Sequence, residues 1–118
     1  MQMSINNVLA SVAVKDLDAA VKWYERLLQR PASRPMPEVA EWAFPGGGAL
    51  QVYRLPERSG SGSFTLAVDD LTAEVARLRE LQIEGEEAGN DRVKTLMITD
   101  PDGNHIALAE AFDPRLAR

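Results

Sequence analysis

Few residues in this chain are equipped for chemistry. Cysteine is absent, which excludes disulfides, thiolate metal sites and cysteine nucleophiles. There is one histidine, His105, directly after the acidic turn Asp100-Pro101-Asp102-Gly103-Asn104. An imidazole titrates near neutral pH and can act as a general base or a metal ligand. As a base it needs a partner that orients it and sets its tautomer, and the sequence shows no obvious one. Three readings of His105 stand side by side: a strand residue near a turn, a ligand contact, and a catalytic base. Ser11, Ser63 and Thr65 carry hydroxyls, but no neighbouring base pattern would activate them. The run Pro45-Gly46-Gly47-Gly48 lacks the Lys and Ser/Thr of a phosphate loop and leads into a strand, so it reads as a hairpin turn. No residue receives a catalytic role on these grounds.

The elements that would hold these residues come in two copies. "ASVAVKDLDAAVKWYERLLQ", from Ala10, registers on "FTLAVDDLTAEVARLRELQI", from Phe64, at an offset of 54 residues. Ala13, Val14, Asp16 and Leu17 meet the identical Ala67, Val68, Asp70 and Leu71. Each copy opens with an alternating run, predicting strands at 8–14 and 63–68. Asp16 and Asp70 are placed to cap the helices that follow. Leu17, Ala20, Val21, Tyr24, Leu27 and Leu28 form one apolar helical stripe, and Leu71, Val75, Leu78 and Leu81 form the other, both read as core packing. "RPASRPMPEVAE" carries three prolines in seven positions, which forbid a helix or a central strand. "EWAF" and "ALQVYRL" predict a hairpin around the glycine turn. "PERSGSGS" reads as a flexible joint between the halves. "EGEEAGND" reads as a solvated loop, and "VKTLMIT" and "HIALAE" as a hairpin around the acidic turn, in which Pro and Gly suit a type I geometry. The second hairpin registers on the first at an offset of 56, so that Gly48, Leu50, Gln51 and Val52 meet Asn104, Ile106, Ala107 and Leu108.

Composition narrows the class. A chain of 118 residues is long enough for one compact domain and too short for two ordinary ones. A formal net charge of −5 argues against a nucleic-acid partner, which needs clustered Lys and Arg. No window approaches the apolar length of a membrane span, and the N-terminus lacks the basic start and apolar run of a signal peptide. A cytoplasmic protein with no membrane partner is expected.

With "V.D" ahead of each helix, "DPDGN" before the last strand and the internal repeat, the chain resembles the vicinal-oxygen-chelate superfamily. That group includes glyoxalase I, extradiol dioxygenases, and fosfomycin- and bleomycin-resistance proteins. The resemblance implies an α+β fold: two tandem β-α-β-β-β modules, about 5–58 and 63–112, forming a curved half-barrel sheet with helices on the outer face, within one domain spanning 1–118. It also implies a homodimer, whose second copy covers sheet edges and apolar surface. Members that bind a metal hold it from four strand positions, which correspond here to Leu9, Gln51, Ser63 and Ala107. Leucine and alanine offer no donor, and amide and hydroxyl groups are weak ligands for a transition metal. The resemblance therefore points to a branch without metal or cofactor, and away from glyoxalase, ring-cleaving and epoxide-opening chemistry.

Strand alternation then predicts the wall of the concavity: Leu9, Ser11 and Ala13; Ala49, Gln51 and Tyr53; Ser63, Thr65 and Ala67; His105, Ala107 and Ala109. Trp42 and Tyr53 flank one hairpin as candidate aromatic faces, with core packing against a helix as the other reading of Trp42. Small inward side chains with a few hydroxyls, one amide and one imidazole suit a small organic ligand. The expected function is metal-free binding or sequestration of a small, mostly apolar or aromatic compound, as in bleomycin-resistance proteins. The alternative is a lyase, isomerase or dioxygenase-like enzyme with a non-standard or absent metal site. A structural or regulatory partner domain is a third reading.

Overall fold

The computed structural model describes residues 4–116. Along the chain run β1 (Leu9–Val14), α1 (Leu17–Leu28), β2 (Ser33–Met36), β3 (Val39–Ala43) and β4 (Ala49–Arg54). A 3-10 turn (Pro56–Arg58) leads to β5 (Ser63–Ala67), α2 (Leu71–Glu80), β6 (Glu86–Gly89), β7 (Val93–Thr99) and β8 (His105–Ala111). The strands form two sheets, ordered β1-β4-β3-β2 and β5-β8-β7-β6. The result is the expected α+β architecture, two β-α-β-β-β modules whose curved sheets carry the helices on their outer face. Among the described residues no helix is long and apolar enough to cross a membrane.

The two modules share one register. In the first, β1 runs parallel to β4, with Leu9 opposite Ala49 and Ala13 opposite Tyr53. In the second, β5 runs parallel to β8, with Ser63 opposite His105 and Ala67 opposite Ala109. Adding 54 to the first strand and 56 to the last converts one set of pairs into the other. The turns match as well. Phe44 N–H donates to Gly48 and Gly47 N–H to Phe44, while Asp100 N–H donates to Asn104 and Gly103 N–H to Asp100. Gly47 and Gly103 both adopt φ 99°, a conformation in which glycine is unstrained.

Helix starts follow the sequence. The Asp16 carboxylate accepts from Ala19 N–H at 3.2 Å, and Asp70 accepts from Ala73 N–H at 3.1 Å. The apolar stripes bury Leu17, Ala20, Tyr24 and Leu27 from α1, and Leu71, Val75 and Leu78 from α2. They join Val12, Val14, Trp42, Leu50, Val52, Ile98, Ile106 and Leu108 in one core spanning both modules. The helices meet where Arg77 donates to the Leu27 carbonyl at 2.8 Å and Arg26 donates to the Leu81 carbonyl at 3.0 Å.

Two segments differ from the sequence reading. "EGEEAGND" is not simply loop, because Glu86–Gly89 forms edge strand β6 on β7. Gly85 makes this approach possible, since a Cβ there would lie 1.9 Å from the Met97 carbonyl oxygen. "PERSGSGS" is a packed joint, not a flexible one. A Cβ on Gly60 would lie 2.2 Å from the Asp102 carbonyl oxygen, and one on Gly62 would lie 2.9 Å from the Val12 side chain. The proline-rich segment does exclude a helix, and the strand it forms, β2, lies at a sheet edge where Pro35 is tolerated.

Edge strands β1 and β5 lie side by side, and on one side of this seam the acidic turn locks the modules together. Asn104 is fully buried. Its amide donates to the Ala13 carbonyl and to Asp100, and its side-chain oxygen accepts from Gly62 N–H, all at 2.8–2.9 Å. Asp100, 4% exposed, accepts from Tyr24 O–H, the Asn104 amide, and the backbone N–H groups of Asp102 and Asn104. Four donors fill the acceptor capacity of one carboxylate, so the charge is hydrogen-bonded although no cation among the described residues pairs with it.

Candidate functional site

The face of each sheet turned away from the helices carries the odd-numbered strand positions. Leu9, Ser11 and Ala13 stand on β1 beside Ala49, Gln51 and Tyr53 on β4. Ser63, Thr65 and Ala67 stand on β5 beside His105, Ala107 and Ala109 on β8. The even positions of these strands point into the core, which accounts for the alternating burial. His105, Ser11, Ser63 and Thr65 are exposed, Gln51, Tyr53 and Ala107 are half-buried, and Leu9 is 44% exposed. Residues widely separated in sequence are thus gathered on the concave faces of their own sheets.

Trp42 is the exception and corrects its assignment as a ligand-facing aromatic. It is 1% exposed and pairs with Leu50, so it faces the core. Its ring lies 5.8 Å from that of Tyr24, and its indole N–H donates to the Arg30 carbonyl at 3.1 Å. The residue of β3 that does face the concave side is Glu41, opposite Gln51. The hairpin register held this signal. With a turn at 44–48, Ala43 pairs with Ala49, and counting back brings Glu41, not Trp42, onto Gln51.

Glu41, Gln51 and Ser11 form a polar row across three strands. Gln51 Nε2 donates to Glu41 Oε1 at 2.9 Å, and Ser11 Oγ approaches Gln51 Oε1 at 3.4 Å. At the matching positions of the second sheet lie Met97, Ala107 and Thr65. One concave face is therefore polar and acidic. The other is small and apolar, with hydroxyls at its edge.

The four positions that carry a metal in related enzymes do not fit one here. Leu9 and Ala107 present no donor atom. The Gln51 amide already bonds Glu41 and Ser11, and Ser63 offers a neutral hydroxyl. Among the described residues no group of three or more His, Cys, Asp and Glu side chains converges as a metal-binding cluster.

Away from the sheets, burial and the hydrogen bond to Asp100 push the Tyr24 hydroxyl far above its ordinary pKa. It stays a neutral donor, which suits a structural role.

A search of curated proteins finds no match. Among solved structures, a glyoxalase/bleomycin resistance protein from Catenulispora acidiphila is 33% identical, covering 89% of this chain and 97% of its own, with a TM-score of 0.80. TnmS3, an antibiotic binding protein from Streptomyces sp. CB03234, is 28% identical over 93% of this chain and 99% of its own, with a TM-score of 0.79. A bleomycin resistance determinant encoded on the transposon Tn5, 18% identical over 92% of this chain and 99% of its own, shares the fold at a TM-score of 0.71. The profile of the glyoxalase-like domain matches residues 9–109, and the chain belongs to that family, within the vicinal-oxygen-chelate superfamily.

Proposed function

We propose that this protein binds or sequesters a small, mostly apolar or aromatic compound on the concave faces of its sheets, without a metal. The observation that carries this reading is the chemistry of the four strand positions. Two have no donor atom, and the only amide is already committed to Glu41 and Ser11. What remains is a surface of small side chains with a few orienting polar groups, the composition of a small-molecule site. The similarity to TnmS3 supports the same class of function. Tyr53 supplies the aromatic face, Gln51, Ser63, Thr65 and His105 supply polar contacts, and Ala107 and Leu9 supply the apolar floor.

A second copy completes the site in this reading. Leu9, Met36 and Met97 are 44%, 59% and 43% exposed, and β2 and β6 are open sheet edges. Such edges favour pairing with a second chain or cover by one. The protein then works as a cytoplasmic homodimer, each chain acting as one domain.

One observation favours a catalytic alternative. Glu41 brings a carboxylate to the concave face, where it could serve as a base for an isomerase- or lyase-type reaction. A thermal-shift screen followed by turnover assays separates the two. Binding without turnover supports sequestration, whereas turnover abolished by Glu41→Gln with binding retained supports the enzyme.

A further inference from the structure

The seam between the modules has two sides, and only one is filled. On one side Asn104 reaches across to the Ala13 carbonyl and Gly62 N–H. Adding 54 to β1 and subtracting 56 from the turn carries this arrangement to the other side, where Asn104 becomes Gly48 and Ala13 becomes Ala67. The backbones agree, because both turns make the same hydrogen bonds and both pairs of strands keep the same register. The side chains do not. Asp102, which accepts from Lys15 N–H at 3.1 Å, is replaced by Gly46, and the buried Asn104 by Gly48. A Cβ added at Gly46 or Gly48 would meet nothing within 4 Å.

The vacated volume is a cavity of about 750 Å³. Phe44, Phe64, Leu66 and Leu108 give it an apolar lining, and Asp69 and Asp70 stand at its edge. It opens mainly on the helix side of the strands, where Ala10, Phe64, Leu66 and Leu108 are even-numbered positions, and it touches the concave faces only along the seam, at Ala49, Thr65 and Ala67. The Ala67 carbonyl points into this seam. Val68 N–H donates to Ala109 in β8, so the carbonyl of the same planar peptide faces the opposite way. The two arginines in the lining are engaged. Arg77 bonds Glu74 and the Leu27 carbonyl, and Arg30 donates to the Ala43 carbonyl and lies over the Phe44 ring. With Arg77 paired to Glu74, the lining sets the two carboxylates of Asp69 and Asp70, which form no ion pair among the described residues, against the single guanidinium of Arg30, a net acidic balance.

We propose that this cavity is a second binding site, taking a flat, ring-bearing amine whose N–H donates to the Ala67 carbonyl as the Asn104 amide does to Ala13. The rings lie against Phe44, Phe64 and Leu108, and the positive charge lies toward Asp69 and Asp70.

The test uses 9-aminoacridine as the cationic probe and anthracene-9-carboxylate as its anionic counterpart, with binding read from backbone amide shifts of the labelled protein. 9-Aminoacridine is expected to shift Gly46, Gly48, Val68 and Asp69 and to bind at least tenfold more tightly than the carboxylate. Gly48→Asn restores the residue type that plugs the opposite side, and Ala10→Phe fills the cavity floor independently. Each is expected to weaken 9-aminoacridine at least tenfold while the remaining amide spectrum stays folded. Ala107→Phe, on the concave face, is expected to leave it within twofold, so the two sites fail separately. Equal affinity for both probes, shifts confined to other residues, or tenfold weakening absent from either folded cavity variant would overturn the proposal.

Discussion

The Tyr24 hydroxyl donates to Asp100 at 2.7 Å, joining the first helix to the last turn across 76 residues of sequence. Both groups are buried, and among the described residues no cation pairs with the acid. The turn that marks the family in sequence therefore acts here as a fastener between modules.

Removing the phenol oxygen should be costly. Tyr24→Phe leaves the ring packed but takes one donor from a buried carboxylate, a loss of about 1.5–3 kcal/mol for a hydrogen bond to a charged group. Asn104→Ala removes the bonds to Ala13, Gly62 and Asp100 together and should cost more than Tyr24→Phe. Urea denaturation of the three proteins checks the order.

Alkaline pH should act through the same tyrosine. Its folded-state pKa is raised, chiefly by burial and then by the bond to Asp100, above an unfolded value of about 10. The folded state thus holds the proton more tightly than the unfolded state. The resulting contribution is fully present below about pH 10 and falls as pH rises above that value. Stability measured from pH 8 to pH 11 should show this decline, and Tyr24→Phe should remove that part of it.

Metal should make no difference to stability. Protein purified without a histidine tag should hold well below one equivalent of Zn, Ni, Mn or Fe by elemental analysis. Adding these ions should leave Tm unchanged, because a ion bound only by the folded state would raise it. Stoichiometric metal would overturn the metal-free reading.

The concave face should respond to filling. A compound bound there at a hundred times its Kd would stabilise the fold by about 2.7 kcal/mol. For a chain of this size that is a Tm shift of roughly 10 °C. Ala107→Phe should abolish the shift while leaving the protein folded, since Ala107 is only half-buried and faces away from the core. An undiminished shift in that variant would place the ligand elsewhere.

The repeat, both helices, their aspartate caps and most strands were legible because each rests on local pattern. Period, capping chemistry and turn residues all lie within a dozen positions of one another. β6 was not legible, because "EEAG" has no β-branched or aromatic residue. Its pairing depends on the edge that β7 offers and on Gly85 allowing close approach. Trp42 was misplaced because proximity to the turn stood in for hairpin register, and the same omission hid Glu41. The joint at 56–62 looked flexible because Gly and Ser also compose linkers. Here Gly60 and Gly62 meet the need for close contact with Asp102 and Val12, partners distant in sequence.

The seam has a consequence for the order of folding. Each module completes its sheet from its own residues, the first within 9–54 and the second within 63–111. The bonds that fasten them join Tyr24 to Asp100, Lys15 to Asp102 and Ala13 to Asn104, separations of 76, 87 and 91 residues. Contacts that close such long loops form late, after local pairing has shortened the effective chain. Interactions absent from the folding transition state act mainly on the rate of escape from the native state. Weakening the seam should then leave the refolding rate almost unchanged and speed unfolding, so the acidic turn sets the lifetime of the assembled pair of modules more than the speed of their assembly.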